Sequence, residues 1–132
     1  MNSLATYENL MKEILDYFHK KIDALQKLGV KDIIVDPGFG FAKTVEQNFE
    51  LLDHLDLLKM LGKPVLAGIS RKSMIWRTLE VTPDEALGGT TVLNTIALYK
   101  GASILRVHDV KEAMQVIQLA KHLSSSTLQH IS

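Results

Sequence analysis

The sequence predicts an α/β protein with parallel strands, arranged as part of an eight-stranded (β/α)8 barrel. Three short apolar runs, 32–36, 64–69 and 102–107, have the composition of strands, and helical patterns separate them with no hairpin signal between. Strands that alternate with helices form parallel sheets through right-handed crossovers. The runs recur at a spacing of roughly 30 residues, which matches one unit of a barrel of about 250 residues. The prediction is therefore three parallel strands with flanking helices, an incomplete barrel.

The first predicted element is an amphipathic helix over residues 5–28. Apolar residues recur there at helical spacing, with lysine and glutamate between them, and Gly29 follows at the expected C-cap. The run 32–36 comes next. It is β-branched and apolar and stops at Pro37-Gly38, as expected for a strand buried on both faces.

The remaining elements repeat this alternation. Thr44 and Gln47 form a capping-box pattern, and the leucines that follow predict a helix up to Gly62, before the strand 64–69. Thr82 and Glu85 repeat the cap chemistry around Pro83, which predicts a helix to about residue 99 and then the strand 102–107. A last helix is predicted from residue 110 to about 123.

These elements predict one partial barrel domain over residues 1–123 and a frayed tail over 124–132. Three strands cannot close a barrel, and the chain begins on a helix with no strand before it, so it has the pattern of a piece. The alternative is an open doubly wound sheet. However, no strand is followed by the G-x-G-x-x-G spacing of a dinucleotide site, because 36–41 lacks it.

The amino-acid composition argues against some classes of binding partner. Fifteen basic side chains balance fifteen acidic ones, so no overall field would attract nucleic acid or a membrane surface. There is no cysteine and no apolar stretch of the ~18 residues that a membrane span needs, and the N-terminal residues are not expected to act as a secretion signal. We expect small-molecule substrates and a cytoplasmic location.

Polar side chains follow each predicted strand, where the βα loops of a barrel build its active face. Asp36 ends the first strand, the second runs into residues 70–73, and the third ends with Arg106, His108 and Asp109. Each has a simpler interpretation: a turn aspartate, a solvated loop with a serine cap, and a histidine ordered by a neighbouring acid. Their joint placement after three successive strands favours a site.

Three segments in these loops resemble the signature segments of dihydropteroate synthase. They are DPGFGFAK at 36–43, GISRKS at 68–73 and RVHDV at 106–110. The family often has glycine where this chain has Ala42. The resemblance identifies the chain as the C-terminal part of a pterin-binding barrel enzyme. It implies a transferase of folate biosynthesis, which condenses 6-hydroxymethyl-7,8-dihydropterin diphosphate with p-aminobenzoate to give 7,8-dihydropteroate and diphosphate.

The resemblance also implies roles for individual residues, which fall into overlapping groups. Lys72 and Asp36 match the family's catalytic residues. The pterin would contact Asp36, Phe41, Lys72 and Arg106; p-aminobenzoate would contact Phe41, Ser70 and Lys72; and the diphosphate would contact Arg106 and His108.

The family uses Mg²⁺, and the resemblance places its ligand outside this chain, with no metal ligand within it. With the first five strands absent, the chain alone is expected to be inactive. Two open sheet edges favour a homo-oligomer. Two alternatives stay open: the pterin-binding domain of a corrinoid methyltransferase, and a non-catalytic half-barrel scaffold. The segments 70–72 and 106–108 favour the synthase, because a methyltransferase has no diphosphate to bind.

Overall fold

The computed structural model describes residues 3–40 and 43–123. In these ranges the chain is a helix-rich α/β arrangement with a small parallel sheet. The α-helices are α1 (Ser3–Lys27), α2 (Val45–Asp53), α3 (Ser73–Leu79), α4 (Leu87–Tyr99) and α5 (Val110–Ala120). The strands are β1 (Leu66–Ala67) and β2 (Ile104–Leu105), and 3-10 helices span Leu55–Leu61 and Pro83–Glu85.

The sheet has two parallel strands where three were predicted. Leu66 pairs with Ile104, and Ala67 pairs with Leu105. The first predicted strand supplies only an isolated parallel bridge, Val35 to Val65, with Val35 N donating to the Pro64 carbonyl at 2.9 Å. Pairing stops there because Pro37 has no N–H to donate. The prediction of three strands is corrected to two strands and one bridge.

The two faces of this sheet differ in burial. Val35, Val65 and Ala67 are buried at 1%, 2% and 0% exposure and belong to the same hydrophobic core cluster as helical residues. Successive residues of a strand point to opposite faces. Ile34 and Ile104, on the other face, are 54% and 36% exposed. The sheet therefore has one covered face and one open apolar face, although parallel sheets normally have both faces covered.

The helix predicted from residue 44 to Gly62 is interrupted, and that prediction was wrong in its second half. The Thr44 capping box is present, but α2 ends at Asp53 and a 3-10 helix follows His54. A 3-10 helix has three residues per turn. It therefore aligns Leu55, Leu58 and Leu61 along one side, where their exposures are 1%, 0% and 8%. Core packing determines this change of helix type.

Helix α3 was not predicted, and the helix expected from Thr82 begins later. The Thr82–Glu85 capping box forms, but it caps the 3-10 helix, and α4 starts at Leu87. Helices α3 and α4 approach closely at Gly89, where a Cβ atom would overlap the Ile75 side chain.

The first and last helices agree with prediction. Helix α1 ends at Lys27 with Gly29 in the left-handed region at φ +91°, and α5 ends at Ala120. The predicted tail, 124–132, lies outside the described residues. The core joins α1, α2, β1 and α3 through buried side chains that include Met11, Leu51, Ala67 and Met74.

Candidate functional site

The candidate site lies at the C-terminal edge of the sheet. Asp36 follows the bridge residue Val35, the loop 68–72 follows β1, and the loop 106–109 follows β2. Because the strands are parallel, these three segments leave the sheet at the same edge.

Asp36 and Arg106 form an ion pair across this edge. Arg106 Nη1 lies 2.7 Å from Asp36 Oδ2, and Gly38 N donates to Asp36 Oδ1 at 3.0 Å. Their side chains are 36% and 56% exposed, so the pair contributes little to stability, about 0–1 kcal/mol. The carboxylate and the guanidinium therefore lie side by side and accessible to solvent at this edge.

The Arg106 guanidinium packs against the backbone of Gly68. A Cβ atom at Gly68 would overlap the Arg106 guanidinium, with the Cζ atom only 2.8 Å away. The absence of a side chain at Gly68 therefore lets the guanidinium pack directly against the backbone, and a larger residue there would displace it.

The loop after Asp36 is held by two side chains. Lys43 Nζ donates to the carbonyls of Pro37 and Gly38 at 3.2 and 2.7 Å. Burial lowers the pKa of Lys43, and the nearby charge of Asp36 opposes this effect. Asn48 is 1% exposed and makes a reciprocal pair with Gly40: Gly40 N donates to Oδ1, and Nδ2 donates to the Gly40 carbonyl, both at 3.2 Å.

Lys72 reaches toward this loop from the other side. It is the N-cap residue of α3, and its Nζ lies 4.0 Å from where a Cβ atom of Gly40 would stand. The ammonium group and the Asp36 loop therefore face the same space at the edge of the sheet.

Ser70 and His108 connect the loops after β1 and β2. His108 N donates to Ser70 Oγ at 3.2 Å, and His108 Nδ1 lies 3.0 Å from the same oxygen. Ser70 is 4% exposed, whereas the His108 side chain is exposed. Because Nδ1 makes this contact, Nε2 is the ring nitrogen of His108 that Ser70 does not touch.

A second connection joins the same loops one residue further along. Arg71 Nε and Nη2 donate to the two carboxylate oxygens of Asp109, both at 3.0 Å. Arg71 Nη1 donates to the carbonyls of Pro83 and Asp84, at 3.0 and 3.2 Å. The hydrogen bond from Arg71 is the main cause that lowers the pKa of Asp109, and its reciprocal effect raises the pKa of Arg71.

The structure thus brings most of the predicted site residues to one edge. Asp36 and Arg106 are in contact, Ser70 and His108 are in contact, and Lys72 lies beside Gly40. Phe41, predicted to contact pterin and p-aminobenzoate, lies outside the described residues. The ligand roles of all these residues stay predictions.

Two features of the site were not found from the sequence. Asn48 could have been, because it is a polar residue on the same helical face as the buried Leu51 and Leu52. The fork between Arg71 and Asp109 joins residues 38 positions apart, and no local pattern signals such a contact.

Replacing Asn48 with alanine should destabilise the loop 37–40. The change removes two hydrogen bonds, leaves the partly buried Gly40 N–H without a partner and leaves the Gly40 carbonyl with Lys43 N alone, so we expect the free energy of unfolding to fall by about 1–3 kcal/mol. Urea denaturation measures the loss, and amide exchange at Gly40 should accelerate. The control is Asn9→Ala at an exposed position of α1. Equal stability of the two variants would contradict the role of Asn48.

The ion pair of Asp109 should make stability depend on acidic pH. A carboxylate whose pKa is lowered by folding stabilises the fold above its unfolded pKa, about 3.9, and this contribution is lost as pH falls through the folded value. We expect Asp109→Asn to flatten the fall in urea midpoint as the pH drops below about 4. Asp23→Asn, in an exposed helical pair with Lys27, serves as the control. An equally steep fall in Asp109→Asn and wild type would contradict the prediction.

Neither a metal site nor a membrane span is found in the part of the chain that the structure describes. Within 3–40 and 43–123, no three His, Cys, Asp or Glu side chains gather where they could hold a metal ion. No helix in these ranges has the length and apolar character needed to cross a bilayer.

Comparison with known proteins gives consistent matches. The family model described as "Pterin binding enzyme" matches residues 1–108. The chain is 46% identical over 109 residues to the dihydropteroate synthase of Clostridium beijerinckii. The alignment covers 80% of this chain and 40% of that protein. It is 37% identical over 123 residues to the dihydropteroate synthase of Escherichia coli, covering 92% of this chain and 44% of that protein.

Solved structures give the same result for the fold. A dihydropteroate synthase from Coxiella burnetii, in complex with pteroic acid, superposes with a TM-score of 0.84 at 37% identity, over 88% of this chain and 45% of that one. The 7,8-dihydropteroate synthase from Vibrio fischeri gives 0.83 at 41% identity, over 92% of this chain and 46% of that one. The chain thus spans less than half the length of these relatives.

Proposed function

This chain belongs to the family of pterin-binding enzymes, and from that premise we propose that it is the C-terminal part of a dihydropteroate synthase. One observation carries the proposal: Asp36, Arg106 and Lys72 converge at the C-terminal edge of a parallel sheet. A carboxylate, a guanidinium and an ammonium placed there can bind a polar heterocycle that bears an anionic leaving group.

The fold is proposed to be part of a (β/α)8 barrel, with residues 1–123 as a partial domain. The open sheet face supports this, because Ile34 and Ile104 are exposed where a closed barrel would fill its interior with branched apolar side chains. The length also supports it, since relatives whose halves superpose on this chain are more than twice as long.

The pterin is assigned to Asp36, Lys72, Arg106 and Phe41. The Asp36 carboxylate offers two acceptor oxygens, which suit the adjacent N–H donors of an amino-pyrimidinone edge. To bind them, Asp36 Oδ2 exchanges its contact with Arg106, and the freed guanidinium can stack on the ring or turn to the diphosphate. Lys72 would donate to the pterin carbonyl and ring nitrogen.

The diphosphate is assigned to Arg106 and His108, whose side chains are both exposed at this edge. The p-aminobenzoate is assigned to Phe41, Ser70 and Lys72. The Ser70 hydroxyl is buried and bonded to His108, so a contact with p-aminobenzoate would require it to exchange that bond.

The proposed reaction is a displacement at the pterin methylene carbon. The arylamine nitrogen forms the new C–N bond, the C–O bond to diphosphate breaks, the diphosphate leaves with the electron pair, and the amine releases a proton. Negative charge grows on the leaving oxygen, where Arg106 and His108 can stabilise it. The arylamine is already a nucleophile, so Lys72 and the loop 37–40 contribute mainly by orienting the two substrates.

Mg²⁺ is expected for the complete enzyme, where it would neutralise charge on the diphosphate. The resemblance places its ligand outside this chain, so the steps proposed here use only the chain's own residues.

Calorimetry with three ligands tests the proposal: dihydropterin diphosphate, p-aminobenzoate and methyl-tetrahydrofolate. A dihydropteroate synthase part should bind the first and show little affinity for the third. Preference for methyl-tetrahydrofolate would favour a methyltransferase domain instead. Binding of none of the three would favour a non-catalytic scaffold.

The isolated chain is expected to self-associate and to lack turnover. Its open sheet face and unpaired strand edges expose apolar side chains and backbone groups, and a second copy can cover them. Light scattering after gel filtration should give a mass above 14.7 kDa. Ile34→Asp should shift the equilibrium toward monomer, whereas Leu28→Asp, at an exposed position beyond α1, should not. A wild-type monomer would contradict the association, and measurable dihydropteroate formation would contradict the expected inactivity.

A further inference from the structure

Arg71 occupies a strained backbone position between two proposed ligand-binding residues. Its φ is +54°, in the left-handed region that side chains other than glycine rarely adopt. Such a conformation persists only when its surroundings fix it. Here the buried hydroxyl of Thr90 accepts a hydrogen bond from Arg71 N at 3.0 Å, and the guanidinium is bonded at all three nitrogens.

The guanidinium of Arg71 donates four hydrogen bonds to other parts of the chain. Two nitrogens donate to Asp109 in a fork, and the third donates to the Pro83 and Asp84 carbonyls. A ligand contact through Arg71 would require breaking these bonds, whereas Arg106 has a single ion pair and is 56% exposed. The geometry therefore separates an arginine available to ligands from one that holds the loops together.

The fork joins two loops at a particular point. Arg71 immediately precedes Lys72, and Asp109 immediately follows His108, so the fork sets the distance between these two proposed ligand-binding residues. A planar, bidentate pair fixes orientation as well as separation. Both side chains are partly buried, at 26% and 21% exposure, which limits their freedom.

The hydrogen bonds between Ser70 and His108, in the same two loops, determine which ring nitrogen of His108 carries the proton. Both hydrogen bonds of the Ser70 hydroxyl go to His108, and its oxygen accepts from the His108 backbone N–H. A buried hydroxyl hydrogen needs an acceptor, and Nδ1 is 3.0 Å away. In the neutral ring this makes Nδ1 the acceptor and leaves the proton on Nε2, the nitrogen not engaged by Ser70.

We propose that Arg71 and Asp109 are positioning residues, which lock the two loops together so that His108 presents its Nε2–H as a donor to the diphosphate. The proposal rests on the proposed function for the identity of the anion. It makes Ser70 the residue that selects the tautomer, and it makes the fork the contact that keeps Ser70 and His108 in register.

The first test needs no ligand. The imidazole ¹⁵N shifts of His108, measured at a pH where the ring is neutral, should show the Nε2–H tautomer in wild type. Ser70→Ala, Arg71→Lys and Asp109→Asn should each give a mixture of tautomers, with faster amide exchange at residues 70–72 and 107–109. Arg71→Lys keeps the charge and loses the fork, so it tests geometry separately from charge. Wild-type shifts in Arg71→Lys and Asp109→Asn would overturn the proposal.

The second test uses inorganic diphosphate in calorimetry. Arg71→Lys and Asp109→Asn should weaken its binding about tenfold, a factor that corresponds to about 1.4 kcal/mol. Arg77→Lys, an exposed arginine on α3 that stacks on Trp76, is the matched control and should bind like wild type. If Arg71 instead bound diphosphate directly, Asp109→Asn would free it and strengthen binding, which would overturn the proposal.

The two tests also separate this proposal from the proposed function. A wild-type chain that binds no diphosphate counts against the synthase assignment, and the positioning role is then decided by the ligand-free ¹⁵N shifts and amide exchange.

Discussion

Replacing Asp36 with alanine within a complete enzyme that carries this chain is expected to weaken the binding of dihydropterin diphosphate by about 2–4 kcal/mol, because a charge-assisted contact through two oxygens is replaced by unpaired donors on the ligand. This corresponds to a factor of about 30 to 1,000 in Kd. The wild-type carboxylate is already oriented by Gly38 N, at 3.0 Å from Oδ1, so little ordering is needed on binding. An NMR titration that reads millimolar affinities measures the change.

Two further variants define what the Asp36 result means. Asp32→Ala removes an exposed carboxylate four residues earlier in the same segment and should leave the Kd unchanged. Asp36→Asn keeps one acceptor oxygen and the shape, and it should retain part of the affinity. The folded state should tolerate all three changes, since the Asp36–Arg106 pair is exposed. Unchanged affinity in Asp36→Ala would remove the central contact of the proposed pterin site.

Replacing Gly68 with alanine is expected to abolish most of the anion binding and to leave the fold intact. The new Cβ atom would overlap the Arg106 guanidinium, which is the end of a flexible side chain and can swing away. It then loses its position beside Asp36 and at the diphosphate site. Since a hydrogen bond to a charged group contributes about 1.5–3 kcal/mol, binding of inorganic diphosphate should weaken at least tenfold.

Gly88→Ala is the matched control for this change. No heavy atom lies within 4 Å of a Cβ atom at Gly88, so the same substitution should bind diphosphate like wild type. Thermal denaturation should show both variants folded, with Gly68→Ala losing about 1 kcal/mol, because Gly68 is buried but the three atoms nearest its new Cβ belong to the flexible end of Arg106. Wild-type diphosphate affinity in Gly68→Ala would show that the position of Arg106 does not matter for the anion.

Features that depend on residues close together in the chain were predicted correctly from the sequence. The Thr44 and Thr82 capping boxes were both readable, because each depends on two residues three apart. The type and length of the helix that follows each capping box could not be predicted in the same way. One leads to a helix broken at His54 and the other to a 3-10 helix, since the continuation depends on which leucines the core accepts.

The number of strands likewise depends on contacts between distant residues, which the sequence does not show. Their positions were predicted from β-branched runs, and the parallel pairing followed from the alternation with helices. Their number was overestimated, because the run ending at Asp36 forms only one bridge before Pro37. Apolar composition predicts that a segment is extended, and hydrogen-bond partners decide how much of it is a strand.

The family and the loops that carry the candidate site could be predicted from the residues alone, because short motifs such as 36–43 and 68–73 are contiguous and depend only on residue type. Only the tertiary structure separated Arg106, which is exposed and lightly paired, from Arg71, which is committed to Asp109 and to the carbonyls before α4. It also placed Asn48 against Gly40 and Gly68 beneath a guanidinium. These distinctions depend on distances between residues far apart in the chain, and only the packing of helices against the sheet sets those distances.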